Sequence, residues 1–207
     1  MRYVLYFLRT VQWILMSIVD IAMNFVAILF VNWWVVFLGR PMNETDRQWA
    51  FLSQNERLYT QVLPKYLKWF ETMDNSLDEY WLANYDEVNN GRWTEQNPPS
   101  FWRRKFYQWK WLQRNISYTF SWGPMGIVWE EETWTVVKDI QKEDFTLFFA
   151  YSTKGYWSFS MGKKYGSYKL GWKVKNFWNT NTKKFKTYHT WFPRTQIVSS
   201  INPFKRS

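Results

Sequence analysis

The chain has 207 residues with 17 Trp, 13 Tyr and 17 Phe, no Cys, one His, and 27 Lys and Arg against 17 Asp and Glu, for a formal charge of +10. A length of this order suits one ordinary domain plus an appendage. The lack of Cys excludes disulfides, thiol nucleophiles and thiolate metal sites, and His189 alone excludes a multi-histidine metal centre. Charge is distributed by segment: residues 1–40 carry net +2, 41–100 net −5 and 101–207 net +13, with 12 basic and no acidic side chains after Asp144. A basic half beside an acidic one points to an anionic partner or to pairing between the two.

Between Thr10 and Gly39 the only charge is Asp20, and residues 21–38 (IAMNFVAILFVNWWVVFL) form 18 uncharged positions. About 20 apolar residues cross ~30 Å of hydrocarbon, so the segment is a candidate transmembrane helix. Trp13, Trp33 and Trp34 stand where interfacial aromatics are expected, and Arg40 flanks the end of the run; these four are the candidate membrane anchor. Two other readings stay open: a helix lying in the interface with Asp20, Asn24 and Asn32 towards headgroups, and a buried core helix. The basic C-terminal part would favour the anionic cytoplasmic leaflet.

Gly39 and Pro41 end the apolar run, and N-cap candidates at 43–46 open a helix expected over 47–62, followed after Pro64 by a short helix over 65–70 with Leu67 and Phe70 on one side. Asp74, Asn75, Ser76 and Asp78 then cluster oxygen side chains. Turn and cap chemistry accounts for them, and an EF-hand is excluded because its loop glycine is missing; they are a possible cation or turn cluster, and no metal site is assigned. A turn at 89–91 and a proline-containing linker at 97–100 follow.

The run LPKYLKWFETMDNSLD at 63–78 resembles the signature LPxxLxWFxTxDNSLD of a family of uncharacterised tailed-bacteriophage proteins with a hydrophobic N-terminus, a domain of unknown function. WLQRNISYTF at 111–120 and GWK at 171–173 match two further segments of that family, with departures at Ile116, Thr119, Glu79 and Tyr80. The resemblance implies a phage origin and a membrane-associated setting. It carries over no catalytic residue and no cofactor.

Residues 101–113 (FWRRKFYQWKWLQ) place Trp102, Phe106 and Trp109 at helical spacing among basic residues, which reads as a short basic amphipathic helix, core-packed with a solvated basic rim or, alternatively, docked on a membrane surface or nucleic acid. Strands are expected at 118–122, 126–129, 133–140, 145–151, 156–160, 167–175 and 187–198, separated by turn signals. In 167–175, Tyr168, Leu170, Trp172 and Val174 alternate with Lys169, Gly171, Lys173 and Lys175, so one face is apolar and the other cationic. With Lys163, Lys164, Lys183 and Lys184, and Lys186 beside them, these lysines form a candidate surface for an anionic partner: anionic lipids first, nucleic acid second. No Walker A, GxSxG or GxGxxG motif is present, and His189 and the Glu130, Glu131, Glu132 run read as structural. A hydrolase using only carboxylates, Asp74 with Asp78 or Glu130 with Glu132, is the enzymatic alternative.

The sequence therefore predicts an α+β protein in three parts: a hydrophobic membrane-anchor segment at 1–40, an acidic helical connector at 41–113, and a basic, aromatic-rich antiparallel β meander or small barrel at 114–207. The function expected is non-enzymatic interaction at a host inner membrane with the β part cytoplasmic, through lipid and a host or phage protein. The alternatives are a virion component and a nucleic-acid-binding module.

Overall fold

The computed structural model describes residues 2–46, 61–70, 100–114, 116–163, 165–186 and 194–206. The expected helix over most of 47–62, the Asp74, Asn75, Ser76 and Asp78 cluster, the turn at 89–91, Lys164 and His189 lie outside them. The fold is α+β, with a long N-terminal helical segment, short helices and a five-stranded antiparallel sheet in the C-terminal part.

The apolar run folds as helix α1 (Arg2–Val26), a π-helical turn (Ala27–Val31) and helix α2 (Asn32–Leu38), ending where Gly39 leaves helical geometry. The chain divides into two compact units, one of Met1–Asp20 with Ser121–Ser207 and the other of Ile21–Phe120. The division thus falls inside the helix, whereas composition alone places a boundary after residue 40.

In the second unit, Ala27, Val35, Val36, Leu63, Phe70 and Leu112 form a buried core, with Met23, Val31, Leu67, Trp109 and Ile116 packed against it. Arg40 and Pro41 (β1) pair with Gln61 and Val62 (β2), so the last two residues of the stretch expected as helix are strand instead; β-branched Val62 is buried there. Lys65–Phe70 is a 3₁₀ helix whose Leu67 and Phe70 both reach the core. Helix α3 (Phe101–Arg114) forms as expected but turns the other way. Its buried side is Lys105, Tyr107, Gln108 and Leu112, while Trp102 and Phe106 are exposed. Only one residue of the expected aromatic side, Trp109, packs on the core. The segment expected as a strand at 118–122 is instead helix α4 (Tyr118–Trp122). The Phe120 N–H donates to Ser117 C=O at 3.0 Å, closing a local turn in place of a ladder bond.

In the first unit, β4 (Trp134–Lys142), β5 (Phe145–Ser152), β6 (Trp157–Lys163), β7 (Tyr165–Trp172) and β11 (Ile197–Arg206) form an antiparallel meander in the order β11-β7-β6-β5-β4. Of the strand expected at 187–198, residues 187–193 lie outside the described residues, Arg194–Thr195 forms a short strand of its own, and the last strand begins at Ile197 and runs on to Arg206. Short ladders join β3 (Ile127–Val128) to β10 (Arg194–Thr195), and β8 (Trp178–Asn179) to β9 (Lys184–Phe185).

Alternation along paired strands sorts side chains onto two faces. Phe148 lies opposite Ser160, and Ser160 opposite Lys169, so these three share one face, together with Ala150, Ser158 and Thr146. Phe149, Tyr151, Trp157, Phe159 and Leu170 fall on the other. The alternation expected for 167–175 stops at Gly171, whose φ of +88° is open to glycine and strained for other residues. Beyond it Trp172 and Val174 are fully buried with Ile127, Trp134, Phe148 and Ala150.

Candidate functional site

Two features stand out: the outward face of the N-terminal helix, and a lysine-lined hollow on the sheet.

In the first unit, residues 2–20 lie along one face of the sheet, and the groups that meet the sheet are polar-tipped. Tyr6 Oη donates to Ser152 C=O at 3.0 Å, Trp157 Nε1 to Thr10 Oγ1 at 3.1 Å, and Trp13 Nε1 to Val198 C=O at 3.1 Å. Ser17 Oγ and Ser199 Oγ are 2.5 Å apart, and Ser121 Oγ donates to Asp20 Oδ1 at 2.5 Å in a buried setting. Tyr6, Thr10, Trp13, Ser17 and Asp20 recur every three or four residues, which puts them on one stripe. The opposite side carries Tyr3, Phe7, Leu8, Val11, Ile14, Leu15, Ile18 and Val19, all exposed, Phe7 by 66%. In a water-soluble helix the apolar stripe faces the core and the polar one faces solvent; here the order is reversed.

In the second unit the helix buries a mainly apolar side and still leaves large apolar side chains exposed. Asn32 is buried with Ala27, Val35 and Val36, while Phe25, Ile28, Leu29, Phe30, Trp34 and Phe37 are exposed. The π turn adds a residue to the helical ladder and shifts the inward stripe at that point. Lys105 Nζ donates to Val36 C=O in the last turn of α2, satisfying a carbonyl that lacks an intrahelical partner. Burial pushes the Lys105 ammonium below its usual range, with Arg104 adding to the effect. Exposed Phe101 and Trp102 approach Phe37 at ring-centroid distances of 6.3 and 6.2 Å, so the apolar surface continues onto α3.

The residues expected as a membrane anchor separate accordingly. Trp13 is turned onto the sheet, its ring 5.1 Å from that of Trp157. Trp33 stacks on Trp109 at 4.5 Å with half its surface exposed, and Trp34 projects outward. Arg40 pairs with Asp46, Nη2 to Oδ1 at 2.5 Å, and that hydrogen bond holds the Asp46 carboxyl below the ordinary carboxylate range.

The hollow lies on the sheet face away from residues 2–20 and measures about 700 Å³. Its floor is built from small hydroxylic side chains, Thr146, Ser158, Ser160 and Ser167, around Gly162. Lys169 on β7 and then Lys173, Lys175 and Lys186 on the segment after it line the same space. Burial, with Lys169 adding like-charge repulsion, lowers Lys173 to about 8. Burial lowers Lys175 as well, against a smaller opposing pull from Asp139. Of the seven lysines expected to form an anionic-partner surface, three thus converge here. Lys163 and Lys184 are exposed and do not line the hollow, and Lys183 pairs with Asp139 at 2.8 Å. Burial opposes ionisation of Asp139, yet its hydrogen bonds to Lys183, Trp178 and Gln141 hold its carboxyl below the usual range. The serine and threonine floor was not singled out in the sequence, since isolated hydroxyls on separate strands carry no local signal. Among the described residues, no group of three or more His, Asp and Glu could hold a metal ion.

A family model matches residues 4–207, nearly the whole chain. The chain belongs to the family of unknown function DUF7338. No curated protein and no solved structure matches it. Membership of DUF7338 brings no activity and no residue roles, so the reading of the site rests on its geometry.

Proposed function

We propose that this DUF7338 protein is a non-enzymatic interaction protein seated in a membrane through the outward face of its N-terminal helix. The carrying observation is the inverted amphipathicity of residues 2–20, with hydrogen-bonding side chains turned to the protein and large apolar ones turned out, and the exposed apolar side chains that follow over 25–38. Exposed patches of this extent mark lipid or protein interfaces. The helical segment Arg2–Leu38 is also long and apolar enough to cross a bilayer. For residues 2–20, however, lying along a sheet whose end strands β4 and β11 pair with no further strand among the described residues supports seating in the interface plane, because open sheet edges do not enter hydrocarbon.

The resemblance of 63–78 and 111–120 to tailed-phage proteins supports the inner membrane of an infected bacterium as the place, with the basic β part towards the cytoplasm. The work done there is modulation of a host process, exclusion of other phages, or assistance to assembly or genome entry. Expression of the full-length chain followed by membrane fractionation tests the seating. Recovery in the membrane pellet, released by detergent and not by high salt, is expected. Recovery in the soluble fraction without detergent overturns it.

A further inference from the structure

We propose that the hollow on the sheet binds a small phosphate-bearing anion with two or more negative charges, held by Lys169, Lys173, Lys175 and Lys186 over a floor of serine and threonine hydroxyls. The volume of about 700 Å³ falls within the range of small-molecule sites, roughly 300–1,000 Å³, and exceeds what a lone phosphate ion fills. A diphosphate or a phosphate ester matches it better.

The lining supplies donors of the right kind. Lysine ammonium groups and hydroxyls donate to phosphate oxygens, and bonds to a charged acceptor are the strong ones. Among the described residues that line the hollow there is no carboxylate to compete for them. Lys173 Nζ donates to the neutral Gln196 Oε1 at 3.4 Å, and Asp139, which attracts Lys175, is itself engaged by Lys183 and by Trp178 Nε1 at 2.8 Å. Space is kept by the small floor: a Cβ on Gly162 would come within 2.8 Å of Thr146 Oγ1. Lys169 and Lys173 repel one another in a partly desolvated recess, and a bound polyanion relieves that repulsion.

The phosphate of a soluble ester and that of a lipid headgroup share this chemistry. The soluble source is favoured because Ser158, Ser160 and Lys169 alternate with Trp157, whose Nε1 meets Thr10 on the face along which residues 2–20 lie. A bilayer touching the outward face of the helix does not reach the hollow. This choice of source, though not the site itself, rests on the membrane seating proposed above.

The test titrates full-length protein in a non-ionic detergent with inorganic pyrophosphate at constant ionic strength and neutral pH. Saturable binding at one site is expected, weakened at least about tenfold by Lys173→Gln. It should be retained in Lys173→Arg and changed by less than about twofold by Lys142→Gln, an exposed lysine on β4 outside the hollow. Absence of saturable binding to the folded protein, or equal weakening by Lys173→Gln and Lys142→Gln, overturns the site. A parallel titration adds phosphatidylglycerol to the micelles. Lys173 dependence with that lipid and not with pyrophosphate overturns the soluble source and assigns the site to a headgroup, whatever fractionation shows about seating.

Discussion

Ile14 and Ile18 stand one turn apart on the outward stripe of α1, 46% and 60% exposed. The inward stripe at Trp13 and Ser17 is untouched by changing them. Full burial of an isoleucine side chain is worth ~1.5–3 kcal/mol, so moving the exposed fractions of both into lipid contributes about 2–3 kcal/mol. The double substitution Ile14→Glu, Ile18→Glu removes that contribution and adds the cost of placing two carboxylates against the acyl boundary. At a tenfold change per 1.4 kcal/mol, partitioning onto vesicles should fall by about 100-fold. The assay is flotation of the purified protein with vesicles of phosphatidylcholine and phosphatidylglycerol, read beside a thermal melt. The melt should move little, because neither side chain belongs to a buried core. Vesicle partitioning within about threefold of the parent, or collapse of the melt, would refute the claim that this stripe faces lipid.

Further outcomes follow from single contacts. Lys173, lowered to about 8 from 10.5, binds fewer protons folded than unfolded between those values, so its desolvation penalty is present in full below pH 8 and is relieved as pH rises towards 10.5. The stability difference between the parent and Lys173→Gln, from denaturant midpoints, should therefore shift in the parent's favour over that window. Pyrophosphate affinity should instead fall as pH rises through about 8, and Lys173→Arg should flatten the fall. Asp20→Ala should cost about 1–3 kcal/mol by removing its buried hydrogen bond with the Ser121 hydroxyl, and Asp20→Asn should cost less; a melt unchanged in Asp20→Ala contradicts the buried pair. Gly171→Ala forces a φ of +88° on a residue with a Cβ and sets that atom 2.3 Å from Trp157 O, so a loss of at least about 2 kcal/mol is expected in the same melt.

How much was legible depended on the range of the interaction that decides each feature. The strands at 133–140 and 145–151 were readable because turn residues and β-branched or aromatic runs act locally, and β4 and β5 follow them closely. The 118–122 segment has strand-like aromatics, yet a turn bond from Phe120 back to Ser117 makes it helical. Helix α3 was predictable in extent and wrong in face: Trp102 and Phe106 lie outward, because what covers a helix is set by its neighbours and not by its own periodicity. The stripe of Tyr6, Thr10, Trp13, Ser17 and Asp20 was present in the sequence at helical spacing. In an apolar run those residues read as isolated exceptions until a sheet supplies acceptors and donors for each.

The sequence by itself determined that residues 2–38 are helical and apolar, that the C-terminal half is basic and β-rich, and that cysteine and multi-histidine chemistry is absent. These are sums over residues and survive any packing. Only the tertiary structure decided which way the apolar helix faces, and that Lys169, Lys173 and Lys175 share a hollow with Lys186 while Lys183 is bound to Asp139. Charge and hydrophobicity are properties of the chain, whereas inside, outside and together are properties of contacts between segments far apart along it. The +10 of the sequence thus becomes, in part, four ammonium groups around one recess, and its aromatic excess becomes both a core and an outward face.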